Sequence, residues 1–314
     1  MARALVALGV VMVMPGFCMS QVITESFGSG VNQFSIEFVE VKYANNSSYT
    51  NSSPNPVGSV AYNYNMGKYE ISRDIIQKAN NAGTLGITLQ DMSAYGGNAL
   101  SRPATGVSWL EAAKFVNYLN TSKGYQAAYL ITGNTLQLWN VSSSTGSNRF
   151  RNINTHYFLP SIDEWFKAAF YNPLNKSYSN YATGSNSLPT SITEGIINSS
   201  AVYNLSESSG PADVNSCGGY SFFGTMGQSG NACEILETAN DGVNDVANEN
   251  RMKRGGSWYF NNFLASNVTG EFFTAPNAEW ADQGFRVASV PEPSALSLLA
   301  VGLGGLAMMR RRRS

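Results

Sequence analysis

Hydrophobic and polar positions alternate over residues 35–41 (Ser-Ile-Glu-Phe-Val-Glu-Val), the period of a strand with one buried face. Residues 64–71 read as a second strand with Gly67 inside it. The period then lengthens. Ser72 stands before Ile75, Ile76 and Ala79 and is placed to cap a helix. Ser108-Trp109-Leu110-Glu111 and Ser161-Ile162-Asp163-Glu164 are capping boxes, in which the serine side chain accepts from an orphan amide and the glutamate reaches back. The first leads into Ala112, Phe115, Val116 and Leu119, the second into Trp165, Ala168, Ala169 and Tyr171. Three- and four-residue spacing turns one apolar face of each helix to a core. Residues 45–58, rich in Asn, Ser and Pro, and the Gly- and Asn-containing stretch up to Gly106 read as loops. From 171 to 289 the pattern dissolves into Gly, Asn and Ser with short apolar patches, which predicts mostly loop. No internal repeat or second hydrophobic restart appears, so residues 21–289 read as one domain.

The two ends follow other patterns. An apolar run over 4–14 behind Arg3, a Pro15-Gly16 break and small residues at Cys18 and Ser20 predict a secretory signal over 1–20, cut after Ser20. The alternative is a buried N-terminal helix. Phe17 is too bulky for the residue before a lipidated cysteine. At the other end Pro291-Glu292-Pro293 precedes an apolar run over 295–309 and then Arg310, Arg311, Arg312 and Arg313. A run of about 15 residues is short of the roughly 20 that span a bilayer comfortably, and the arginines would hold that end in the cytoplasm. The order of these three parts resembles the PEP-CTERM sorting signal of bacterial exported proteins. The resemblance implies recognition by an exosortase and assigns 290–314 to a sorting or anchor segment. That segment is the chain's one contact with a membrane, as a transient transmembrane helix in the inner membrane. An ordinary tail anchor would leave the body on the same outer side.

Composition narrows the chemistry. The 314 residues carry a formal charge of −1, with 43% hydrophobic, 12% aromatic and only 13% charged residues. Aromatic side chains in this number favour a folded body. The charge balance gives no basic face for nucleic acid. A single histidine, His156, excludes metal sites built from two or three histidines, and it reads as structural or exposed. Removing both ends leaves a mildly acidic body, which favours solubility over any particular partner.

The remaining landmarks fall in a recognisable order. Tyr69-Glu70-Ile71-Ser72 comes first, then Arg102-Pro103-Ala104-Thr105-Gly106-Val107-Ser108-Trp109 and Leu159-Pro160-Ser161-Ile162-Asp163-Glu164-Trp165. Gly230-Asn231-Ala232-Cys233-Glu234, Arg254-Gly255-Gly256-Ser257-Trp258 and Gly284-Phe285-Arg286-Val287-Ala288 complete it. The series resembles the formylglycine-generating enzyme (sulfatase-modifying factor) family over roughly 34–289. It implies an α+β, C-type-lectin-like fold: twisted antiparallel strands, two main helices and much irregular loop.

The resemblance also implies what is missing. Family enzymes oxidise a sulfatase cysteine with copper held by two cysteines, and thiolates suit Cu(I). Counted from Gly255-Gly256-Ser257, those positions hold Phe260 and Ala265, so copper is not expected and no catalytic residue is assigned. The related iron-dependent sulfoxide synthases need three histidines. Once Cys18 leaves with the signal, Cys217 and Cys233 remain. In an oxidising compartment they read as a disulfide; a displaced catalytic pair is the alternative. Gly230, Ala232 and Glu234 match the family's structural calcium stretch, although Gly227 stands where some members offer a side-chain oxygen. Asp241, Asp245 and Glu249 read as a solvated turn. These readings favour an exported, non-catalytic binding or structural module that meets polysaccharide or another surface protein. The alternative is a divergent oxidoreductase acting on a protein cysteine.

Overall fold

Ser72, Ser108 and Ser161 each open a helix in the computed structural model, which describes residues 21–51, 56–261 and 272–291. The helices are α1 (Arg73–Gly83), α2 (Trp109–Ser122) and α3 (Ile162–Phe170). All three serine side chains accept from the amide three residues on, and the boxes of α2 and α3 close through Glu111 and Glu164. The expected apolar faces are buried: Phe115, Val116 and Leu119 of α2, Trp165, Ala168 and Ala169 of α3.

The strands of the two main sheets are, in chain order, β1 (Val22–Phe27), β2 (Phe34–Val41), β3 (Tyr64–Gly67), β4 (Tyr157–Phe158), β5 (Cys233–Ala239), β6 (Arg251–Arg254), β7 (Phe272–Thr274), β8 (Gln283–Gly284) and β9 (Ala288–Ser289). The first sheet runs β1-β2-β3-β9-β4, antiparallel throughout, so the last strand of the body lies beside the third. The second runs β7-β6-β5-β8, with β5 and β8 parallel. This second sheet lies within the stretch that the hydrophobic pattern assigned to loop. The cause is the sequence of β5, Cys-Glu-Ile-Leu-Glu-Thr-Ala, buried at every position. Neither an alternating nor a uniformly apolar pattern announces it, because two of the buried side chains are glutamates.

β5 lies between the two large helical clusters. Ile235 packs with Trp109, Phe115 and Tyr129, and Leu236 packs with Trp165, Phe166 and Met252. Alternate residues of one strand thus serve opposite clusters. The Trp109 indole donates to the Leu236 carbonyl at 3.0 Å, and the Ile162 amide donates to Thr238 Oγ1 at 2.9 Å. Both boxed helices are therefore tied to this strand. Among the described residues no helix is long and apolar enough to cross a membrane; the apolar run 295–309 lies outside them, as does the signal over 1–20.

The 45–60 loop is held more firmly than its composition suggests. Asn46 is buried and binds the Gly58 carbonyl at 2.7 Å and the Val60 amide at 3.2 Å. Asp163, in the first turn of α3, accepts from the Gly58 amide at 2.6 Å. Burial pushes the Asp163 carboxyl up to about 6, against the pull of the Gly58 amide. The folded carboxyl titrates above the unfolded one, so its contribution is full below the unfolded pKa and lost as pH rises through about 6. Going from pH 7 to pH 5, the native protein should gain about 1 kcal/mol over Asp163→Asn in denaturant melts. Parallel pH profiles of the two proteins would contradict the assignment.

Candidate functional site

The region that the family motifs mark is built around a buried ion pair. Arg286 clamps Glu234 with two contacts of 2.6 Å, both side chains being fully buried. The guanidinium also donates to the carbonyls of Gly67 and Met226, at 2.9 and 2.7 Å, and the Trp165 indole donates to Glu234 at 2.8 Å. Glu70 lies beside this pair and accepts from the Asn231 side chain at 2.5 Å and the Ala232 amide at 2.8 Å. Burial, with the Glu234 charge next, holds the Glu70 carboxyl well above the usual carboxylate range.

Of the three residues expected at a calcium, Glu234 is the one whose side chain is engaged here. Both Glu234 oxygens are already committed to Arg286 and Trp165. Among the described residues no cluster of three or more His, Cys, Asp or Glu is arranged to hold a metal.

The structure departs from the disulfide expectation. Cys217 and Cys233 are both free and buried. Cys217 packs with Met92, Met226 and Trp258, and its thiol points to the Val214 carbonyl at 3.5 Å. Cys233 opens β5, its amide donating to the Asp282 carbonyl at 2.8 Å. Burial raises both thiols, Cys233 to about 12 and Cys217 well above its ordinary value. A thiol held protonated is neither a ready nucleophile nor a metal ligand, which argues equally against a displaced catalytic pair.

An aromatic stack occupies the position that the resemblance gives to the first copper thiolate. The Phe260 ring stacks on Phe272 at 5.1 Å and meets the Tyr259 ring edge-on at 4.8 Å. Tyr259 in turn packs on the buried Trp258 at 5.3 Å and bonds to the Asp282 carboxylate. Ala265 lies outside the described residues. Lys253 is the cross-strand partner of Phe272, and its ammonium sits 5.9 Å from the centre of the exposed Trp280 ring. The turn carrying Trp280 is rigidly docked. Its carbonyl accepts from Gly106 at 3.0 Å and Gln283 at 2.9 Å, and Leu110 donates to Pro276 at 3.0 Å.

The other candidates are structural. His156 is buried, stacked on Tyr125 at 4.6 Å and edge-on to Tyr157. Asp241 and Asp245 are exposed in the turn after β5, where Asp241 accepts from the Val243 amide at 2.9 Å. Glu249 is half-buried at the same turn. Pro291 ends the described chain; Glu292, Pro293 and Arg310 to Arg313 lie outside it. Sequence reasoning missed Lys253, Asp282 and Trp280. Trp280 carried a faint signal, a lone indole in a polar turn, and Lys253 carried none inside Arg-Met-Lys-Arg.

Searches against known proteins agree with this frame. Solved structures share the fold, among them the following three. Treponema denticola variable protein 1 aligns at 18% identity and TM-score 0.60, covering 86% of this chain and 99% of its own. CarF aligns at 21% identity and 0.58, covering 82% and 99%. PvdO from Pseudomonas aeruginosa aligns at 14% identity and 0.55, covering 85% and 98%. No curated protein sequence matches. These likenesses define an α+β fold of the formylglycine-generating type. The family model of the sulfatase-modifying factor enzyme 1-like domain matches residues 31–290, and the chain belongs to that family. The PEP-CTERM protein-sorting motif matches residues 289–313.

The state of the thiols is directly measurable. In a chain beginning at Gln21, a maleimide should label no cysteine in the native protein and two per chain in denaturant without reductant. Absence of labelling in denaturant would show a disulfide and contradict the packing described.

Proposed function

We propose that this chain is an exported cell-surface protein whose family domain has given up oxidative catalysis and serves as a binding module. The carrying observation is the Phe260 ring stacked on Phe272, at the position where the family holds a copper thiolate. An aromatic ring offers Cu(I) no thiolate. The two remaining thiols are buried and kept protonated. The charged groups that could have supplied acid–base chemistry, Glu234 and Arg286, are locked to each other instead.

The PEP-CTERM motif supports export and hand-over to an exosortase-type sorting machinery. In this reading residues 1–20 are removed as a signal and 290–314 is the sorting segment, which anchors the chain transiently in the inner membrane. The body then remains at the cell surface or outside. A rigid scaffold with a lectin-like arrangement of loops suits binding, because loops on a fixed base carry recognition.

One experiment tests both halves. Protein extracted from the cell surface should have an intact mass that begins near Gln21 and lacks Arg310 to Arg313. Incubated with Cu(I), oxygen and a Cys-x-Pro-x-Arg peptide, it should leave the cysteine unoxidised. Aldehyde formation above a copper-only control would overturn the non-catalytic reading, and an intact tail on external protein would overturn the sorting reading.

A further inference from the structure

We propose that the cleft at the foot of the sorting segment, rimmed by Tyr62, Ile153 and Val290, docks the folded body on the outer surface of the inner membrane until the tail is removed. The proposal rests on the reading of 290–314 as a transient anchor and adds to it a contact made by the body itself.

The first observation is an apolar cleft. Tyr62, Tyr64, Ile153, Phe158 and Val290 line a space of about 220 Å³. Tyr62, Ile153 and Val290 are 47%, 56% and 44% exposed, so apolar side chains meet solvent here as a group. Single exposed apolar residues need no explanation, but a grouped set marks a contact surface. Among the described residues the charged side chain lining the cleft is Arg151, which Glu164 and Glu237 already hold. The Tyr62 hydroxyl donates to Glu164 at 2.6 Å, which pins its ring at the rim. The cleft therefore offers a polar ligand no unmet charge.

The second observation is where the chain leaves the fold. β9 lies between β3 and β4, and the Val290 amide donates to the His156 carbonyl at 2.9 Å. The chain is thus fixed to the sheet up to the residue at the rim. Pro291 has no amide hydrogen and cannot extend the ladder. Only four residues, 291–294, separate Val290 from the apolar run 295–309. Fully extended, the steps from Val290 to Ala295 reach about 17 Å, and the headgroup layer takes up about 5–8 Å of that reach. With the run in the bilayer, the rim is held within about 10 Å of the headgroups. A run too short to span comfortably draws its flank toward the membrane instead of holding it off.

A lipid surface suits what this face presents. Tyrosine rings settle at the headgroup level, with the apolar body turned to the acyl chains. Tyr43 is exposed as well, and it follows β2 at the same end of the sheet, since Val41 pairs with Tyr64. The tether keeps the face at a high effective concentration beside the bilayer, on the order of millimolar, so a small apolar area suffices while the tail is in place. Cleavage of the tail removes that advantage and releases the body. The turn between β1 and β2, which carries the exposed Val31, lies at the other end of the sheet, about 25 Å away along β2. In this reading the chain's own apolar run is committed to the bilayer, and a second copy would have to share the face with two tails.

The test uses the full chain from Gln21, anchored through its tail in vesicles of phosphatidylethanolamine and phosphatidylglycerol. Asn154→Cys and Val31→Cys carry a maleimide dye at exposed positions, one beside the cleft and one at the far end of the sheet, while the buried native thiols stay unlabelled. Brominated acyl chains should quench the Asn154 dye about three-fold more than the Val31 dye. Ile153→Glu sets a charge on the face; it should cut the quenching at Asn154 roughly two-fold and leave the melting temperature unchanged. Equal quenching at the two positions, or no loss in Ile153→Glu, would overturn the proposal. Before vesicles are added, shielding of the Asn154 dye that is independent of protein concentration would give the cleft to the chain's own tail. Shielding that rises with concentration would give it to a second copy, and either result overturns the lipid contact. A chain that floats with the vesicles while its Asn154 dye stays unquenched refutes docking alone. A chain that does not float refutes the anchor reading, and docking falls with it.

Discussion

The bond between Arg286 and Glu234 is the contact on which the rest of this structure depends. It joins β5 to the chain just before β9, and through the Gly67 and Met226 carbonyls it also ties in the end of β3 and the glycine-rich loop before β5. A second arginine does similar work on the opposite face of β5. Arg151 holds Glu237 at 2.7 Å and Glu164 at 2.9 Å, and Glu164 is the residue that closes the capping box of α3. A strand with two internal glutamates can be buried only when its charges are met in this way. The helix start, the central strand and the closing strand are thus one electrostatic unit as well as one packing unit.

That framework bears on how a domain of this fold could take up other work, as proposed above. Phe260 is held by ring contacts with Tyr259 and Phe272, not by the charged network. Replacing a metal-binding side chain at such a position alters the surface chemistry and leaves the load on Arg286 and Arg151 untouched.

The boxed helices were legible in the sequence because local rules determine them. A serine cap, a glutamate three residues on and a spaced apolar face are all encoded within one or two turns. The sheet around β5 was not legible, because its burial is decided by partners far away in the chain. Glu234 needs Arg286 and Glu237 needs Arg151. Arg-Met-Lys-Arg in β6 carries three charged side chains, yet every one of its residues is buried. The same long-range packing decides what Glu234 and the two cysteines meet. Glu234 had the right position for a cation and meets an arginine. The two cysteines had the right number and compartment for a bridge, and the fold buries both as free thiols. The sorting tail was legible for the opposite reason, since its signal is a linear order of residues.

The central claim is that buried charge pairing at Arg286 carries the scaffold. Denaturant unfolding of Arg286→Met, compared with the double replacement Arg286→Met and Glu234→Leu, tests it most directly. The single change leaves a buried carboxylate without its partner and should cost about 3–5 kcal/mol, while the double change should recover much of that loss. A single replacement costing less than about 1 kcal/mol, the range of an exposed pair, would contradict the account.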